Sequence, residues 1–105
     1  MRPSLAVEES VRTLGYNIRV ARLRRRLPQS LVAERAGISL QTLIKVEAGE
    51  CGVAIGNIAA VLQALGLGDA IGTLAASSAD EAGLLLEERR LPQRIRGKKK
   101  TVDAF

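Results

Sequence analysis

The chain has no histidine, one cysteine and only two aromatic residues, Tyr16 and Phe105, in 105 positions. Each shortage closes a class of function. A zinc site takes about four Cys or His ligands, so Cys51 cannot make one, and it has no partner for a disulfide within the chain. Without histidine there is no imidazole general base and no Cys–His nucleophile pair. Ser/Lys or paired-carboxylate chemistry stays formally open, but a single small domain leaves little room for a substrate cleft. We therefore expect no enzyme, no metal and no cofactor. No window approaches ~18 uncharged apolar residues, so no membrane span is expected. The N-terminal stretch meets Glu8 and Glu9 too soon for a secretory signal, and together with a lone cysteine this points to a reducing cytoplasm.

What is present is aliphatic and basic. Hydrophobic residues make up 47 % of the chain, so the core must be built from Leu, Ile, Val and Ala. That composition favours packed helices. The net charge of +5 is unevenly placed. Residues 1–30 carry seven basic and two acidic groups, residues 31–68 two and three, residues 69–90 two and five, and residues 91–105 five and one. Two basic ends around an acidic later segment imply contact with a polyanion and a second surface of different charge. Arg22, Arg24, Arg25 and Arg26 read alternatively as an ordinary solvated helix face.

Hydrophobic periodicity gives helices throughout and no strand with sustained alternation. Val7, Val11, Leu14, Ile18 and Ala21 mark an amphipathic helix stopping near Arg26, because Pro28 disfavours helical geometry at Leu27. A short helix over 29–36 ends at Gly37. Ser39 caps the next, over 40–48, and Gly49 closes it. Ile55, Ile58, Val61, Leu62 and Leu65 define a fourth helix ending at Gly66. Asp69 is placed to cap a short fifth helix over 70–75. Ser78 with Glu81 fits a capping box for a sixth helix over 81–90, which Pro92 ends. Residues 93–105 lack periodicity and read as a tail. Within it, 93–96 is a candidate edge strand, and Lys98–Lys100 reads as a solvated run or a DNA arm. The division expected is 1–76 for a helical domain and 77–105 for a C-terminal helix and basic tail.

The segment from Gln29 to Gly49 carries the functional expectation. Two short helices joined by Gly37-Ile38-Ser39 must cross steeply, and Ala33 is small enough to allow it. That is the geometry of a helix-turn-helix, although a plain αα-hairpin with a solvated face has the same outline. On a helical wheel Leu43 and Val46 point inward, while Gln41 and Lys45 stand on the opposite face with Ala48. Leu40, Thr42 and Ile44 flank them. Glutamine pairs bidentately with adenine, lysine reaches guanine or phosphate, and apolar side chains touch thymine methyls. Arg22 and Glu47 both fall near inward faces, where unpaired charges are expensive, so a partly buried ion pair between them is expected.

Together, Ile18-Arg19 with Arg22, Gln29, Ala33, Gly37, Ser39, Leu43, Glu47-Ala48-Gly49 and Ala64-Leu65-Gly66 resemble the lambda-repressor-like, or XRE-type, helix-turn-helix family over about 14–67. The resemblance implies an all-α, five-helix DNA-binding domain, here with an extra C-terminal helix and tail. Because one recognition helix buries too little surface for specific affinity, a homodimer on inverted-repeat operator DNA is expected. The resemblance also implies a phosphate contact at Gln29 and base-reading positions at Leu40, Gln41, Thr42 and Lys45. Ser39, Ile44 and Asn57, placed beside them by the helix cap, the wheel and the start of the fourth helix, complete the expected DNA-binding set. The loop Glu50-Cys51-Gly52-Val53 departs from the family in lacking basic contacts, which shifts work to backbone N–H groups at Ile55, Gly56 and Asn57. The acidic late helix followed by Arg89-Arg90-Leu91-Pro92-Gln93-Arg94-Ile95-Arg96 resembles HipB-like antitoxins. That narrower resemblance implies a HipA-like kinase toxin as partner, with Leu84, Leu85, Ile95 and Phe105 as candidate anchors. A stand-alone or phage-type regulator without a toxin is the alternative, and a purely protein-binding adaptor is a third reading. Cys51 reads as a loop residue rather than a redox switch.

Overall fold

The computed structural model describes residues 2–90, and all regular structure among them is helical. The elements are α1 (Leu5–Arg24), α2 (Gln29–Ala36), α3 (Leu40–Ala48), α4 (Ile55–Ala64) and α5 (Glu81–Arg90). Two single 3-10 turns, Ile71–Thr73 and Ser77–Ala79, lie between α4 and α5. The described chain divides into two units, one ending at Ile71 and one starting at Gly72. No described helix is long and apolar enough to cross a membrane. Ile95, Phe105, the Lys98–Lys100 run and the 93–96 strand lie outside the described residues.

In the first unit α3 packs on α1, α2 and α4, and α2 also packs on α4. The core is aliphatic: Ile18, Ala21, Val32, Ala33, Leu43, Val46, Val61, Leu62 and Leu65. Val32, Leu43 and Val61 are fully buried, one from each of α2, α3 and α4. Burying each such side chain stabilises the fold by about 1.5–3 kcal/mol. Leu14, Leu27, Ile38, Ile58 and Ile71 close the edges of this core.

The four helices of the first unit, α1 to α4, end in one hydrogen-bond pattern. The second residue past the helix cap bonds back five residues, and the one before it bonds back three. This is the Schellman arrangement, and it requires a left-handed residue. Gly37, Gly49 and Gly66 supply it for α2, α3 and α4. In α1 the position is held by Arg26 at φ 53°, where a side chain is strained. The helix stops at Arg24, close to the expected end near Arg26, since Arg26 has already left helical geometry. Arg26→Gly should raise the thermal stability of the chain, by roughly 1 kcal/mol, and a melting curve unchanged or lowered would contradict this account.

The expected fifth helix over 70–75 is corrected to the single 3-10 turn Ile71–Thr73. Gly72 sits in the middle of this short run, and only Ile71 reaches the core. Nucleating a helix costs more than so few residues can return. The first unit therefore holds four α-helices, not five. In the second unit the capping box at Ser78 is also corrected. Asp80 caps α5 instead, its Oδ1 accepting from the Gly83 N–H at 3.0 Å. Ser77–Ala79 turns as 3-10 structure, which leaves Asp80 and not Ser78 at the mouth of the helix.

Candidate nucleic-acid interface

Burial of Leu43, Val46 and Glu47 fixes which side of α3 faces outward. Leu40, Gln41, Ile44, Lys45 and Ala48 are exposed, and Thr42 is half-buried. Ser39 holds the start of the helix: its Oγ accepts from the Thr42 N–H at 3.1 Å and lies 2.9 Å from Thr42 Oγ1. Both hydroxyls are thus committed to the helix end, which orients Thr42. The outward face carries one cation, one amide and two large apolar side chains, and no carboxylate.

The chain after α3 folds back beside it. Thr42 and Lys45 of α3, Glu50, Gly52, Val53 and Ala54 of the loop, and Asn57 of α4 line one open groove of about 410 Å³. The structure thus brings Thr42, Lys45 and Asn57 together, and adds Glu50, which the sequence reading did not place there. A carboxylate beside Lys45 lowers the positive potential of the groove. Two helices start nearby in the chain without a side-chain cap, α2 at Pro28 and α4 at Ala54. Each presents free N–H groups and the positive end of its dipole.

Gln29 is the exception among the expected contact residues. Its Nε2 donates to Glu47 Oε1 at 3.0 Å, so the amide is drawn inward. There it joins a buried cluster. Arg22 Nε donates to Glu47 Oε2 at 2.6 Å, Arg22 Nη2 to Glu47 Oε1 at 3.0 Å, and Arg22 Nη1 to the Leu27 carbonyl at 2.9 Å. Arg22 and Glu47 keep only 9 % and 4 % of their side-chain surface exposed. The cluster therefore ties α1, the turn after it, the first residue of α2 and the last turn of α3. Its Gln29 limb was missed because it depends on a side-chain rotamer that spacing does not reveal. The link orients the first turn of α2 relative to α3.

Arg24, Arg25 and Arg26 are exposed just ahead of α2. Arg25 donates back to the Ala21 carbonyl at 2.9 Å, while Arg24 and Arg26 form no ion pair among the described residues. In the second unit Leu84, Leu85 and Leu86 of α5 are all exposed. Among the described residues no group of three His, Cys, Asp or Glu side chains is placed to hold a metal. Comparison of the chain with known protein families, with curated proteins and with solved structures finds no match.

Proposed function

We propose that the chain is a sequence-specific, double-stranded-DNA-binding repressor whose first unit is a lambda-repressor-like helix-turn-helix domain. The observation that carries the reading is the carboxylate-free outer face of α3, standing beside a groove that joins Thr42, Lys45 and Asn57. A helix of about 10–12 Å diameter fits a major groove about 12 Å wide. Gln41 and Lys45 would then read base edges, with Leu40, Ile44 and Thr42 against thymine methyls. The uncapped starts of α2 and α4 would meet phosphates. Arg24 and Arg26 add exposed positive charge ahead of α2. One recognition helix buries too little surface for specific affinity, so a homodimer on an inverted repeat follows.

Binding of the purified chain to duplex DNA at increasing salt tests the reading. A steep fall in affinity is expected, and a protein that ignores duplex at low salt would reduce it to a protein-binding adaptor. Within a randomised operator library Gln41→Ala should relax preference at one position by about 1–3 kcal/mol. Gln29→Ala should weaken all sequences alike, because it loosens the seating of α2 rather than a base contact. Uniform loss from both variants would show that Gln41 does not read bases.

A finer reading, an antitoxin partnered by a HipA-like kinase toxin in the cytoplasm, is favoured by α5. Three consecutive exposed leucines in an acid-rich stretch suit a basic protein surface better than a phosphate backbone. A kinase-like reading frame beside the gene, and loss of toxin neutralisation on truncation after Ala76, would support it. Full protection by the truncated chain would place the partner site on the helices before Ala76, and the absence of any such reading frame would leave a stand-alone regulator.

A further inference from the structure

α1 is 20 residues long, and its outer face is exposed among the described residues. One stripe runs its full length: Leu5, Glu9, Arg12, Tyr16, Arg19 and Leu23, all exposed. The steps alternate four and three residues, the spacing of a coiled-coil seam. Leu5, Tyr16 and Leu23 are 68 %, 60 % and 49 % exposed, high for large apolar side chains. Glu9, Arg12 and Arg19 join neither ion pair found among the described residues. Between them Glu9, Arg12, Thr13 and Tyr16 frame an open depression of about 420 Å³.

The order of side chains along this stripe is self-complementary. When a second α1 is laid antiparallel across it, with the two-fold axis at residue 14, each member meets a suitable partner. Leu5 faces Leu23, Glu9 faces Arg19, and Arg12 faces Tyr16, each pair occurring twice. These are an apolar contact, an ion pair and a cation–π contact respectively. Residue 14 lies within one residue of the helix midpoint, so the overlap uses nearly all of α1. A parallel pair would instead set Glu9 against Glu9 and Arg19 against Arg19, which repel. The charges thus select the antiparallel arrangement, and the leucines are satisfied in it. We infer that the outer stripe of α1 is a homodimer interface, occupied by the α1 of a second copy of this chain in antiparallel orientation. The inference rests on α1 alone and does not depend on the chain binding DNA.

Sedimentation equilibrium of the full chain without DNA, from about 1 μM to about 1 mM, tests it. A concentration-dependent monomer–dimer equilibrium is expected. Glu9→Arg and Arg19→Glu should each weaken the dimer at least about tenfold, since each sets like charges opposite one another twice. The double variant E9R/R19E should restore it. Residues 9 and 19 are about 15 Å apart along one helix, too far to compensate within a chain. Both sites are exposed, and circular dichroism should show the three variants folded. A chain that stays monomeric throughout, a dimer indifferent to the single variants, or a double variant no better than either single would overturn the interface.

Discussion

Glu47→Gln is expected to lower the melting temperature by more than about 15 °C, and Arg22→Ala by a similar amount. The two side chains form a bidentate pair almost out of reach of solvent, with Arg22 also holding the Leu27 carbonyl and Gln29 also holding Glu47. Glutamine keeps the shape of Glu47 but offers one acceptor oxygen and an NH2 that points donors at donors. Arg22 is then a buried cation without its counter-charge, at a cost of about 3–5 kcal/mol. A unit of about 70 residues has roughly 4–10 kcal/mol of stability in all. Each kcal/mol shifts the melting temperature of so small a domain by about 4–8 °C.

An apolar replacement of both partners, Arg22→Met with Glu47→Leu, should cost less than the two single losses together, because no charge is stranded. It should still cost about 1–3 kcal/mol, since the Leu27 carbonyl and the Gln29 amide lose their partners. Thermal unfolding of the two singles and the double gives the coupling directly. A Glu47→Gln variant as stable as the parent would mean that the pair contributes nothing beyond space filling.

That Arg22 and Glu47 lie on inward faces is readable from helical spacing alone, because 3.6-residue periodicity places both beside Ile18 and Leu43. The starts and stops of α2 and α3 are readable for a similar reason. Ser39, Gly37 and Gly49 are chemically suited to one backbone conformation each, and the chain uses them for it. Where an end is made by a residue with no such preference, only its approximate place is readable, here from Pro28. Arg26 occupies a left-handed position normally given to glycine, and nothing in its chemistry announces that. The segment over 70–75 is misread. Its apolar content mimics a helix, yet only Ile71 finds the core, and the glycines around it favour turns. On the outward face of α3 the choice of residues is local and visible, but Glu50 enters the groove only through the path of the loop. Asp80 rather than Ser78 caps α5 because Ser77–Ala79 is taken up in a 3-10 turn, which pattern alone does not encode.

Gly15→Val is expected to remove about 3 kcal/mol or more, and Gly15→Ala to destabilise as well, against the ordinary preference of helices. In an unconstrained helix interior Gly→Ala gains about 1 kcal/mol. Here a Cβ on Gly15 would stand 2.5 Å from the Val46 carbonyl oxygen, 2.8 Å from the Gly49 nitrogen and 2.9 Å from the Glu47 carbonyl oxygen. All three are backbone atoms of the closing turn of α3, and no rotamer change can move them aside. Gly49 is locked in the same contact, since a Cβ there would strike the backbone of Arg12. The two helices therefore meet backbone to backbone, and any side chain at Gly15 must lift α1 off α3. The lift is not confined to that spot, because Arg22 on α1 reaches Glu47 on α3 at 2.6 Å and a shift of even half an ångström spoils the pair. Overpacking at a rigid contact costs about 1–3 kcal/mol by itself, and weakening the ion pair adds to it. The two sites should consequently be coupled: Gly15→Ala should cost less in a Glu47→Gln background than in the parent. Gly56 supplies the control. It lies within α4 with nothing within 4 Å of its missing Cβ, so Gly56→Ala should stabilise the chain by a few tenths of a kcal/mol to about 1. Denaturant titrations of the two alanine variants separate the accounts. If Gly15→Ala raised stability as Gly56→Ala does, the close approach of α1 to α3 would not be what holds the first unit together.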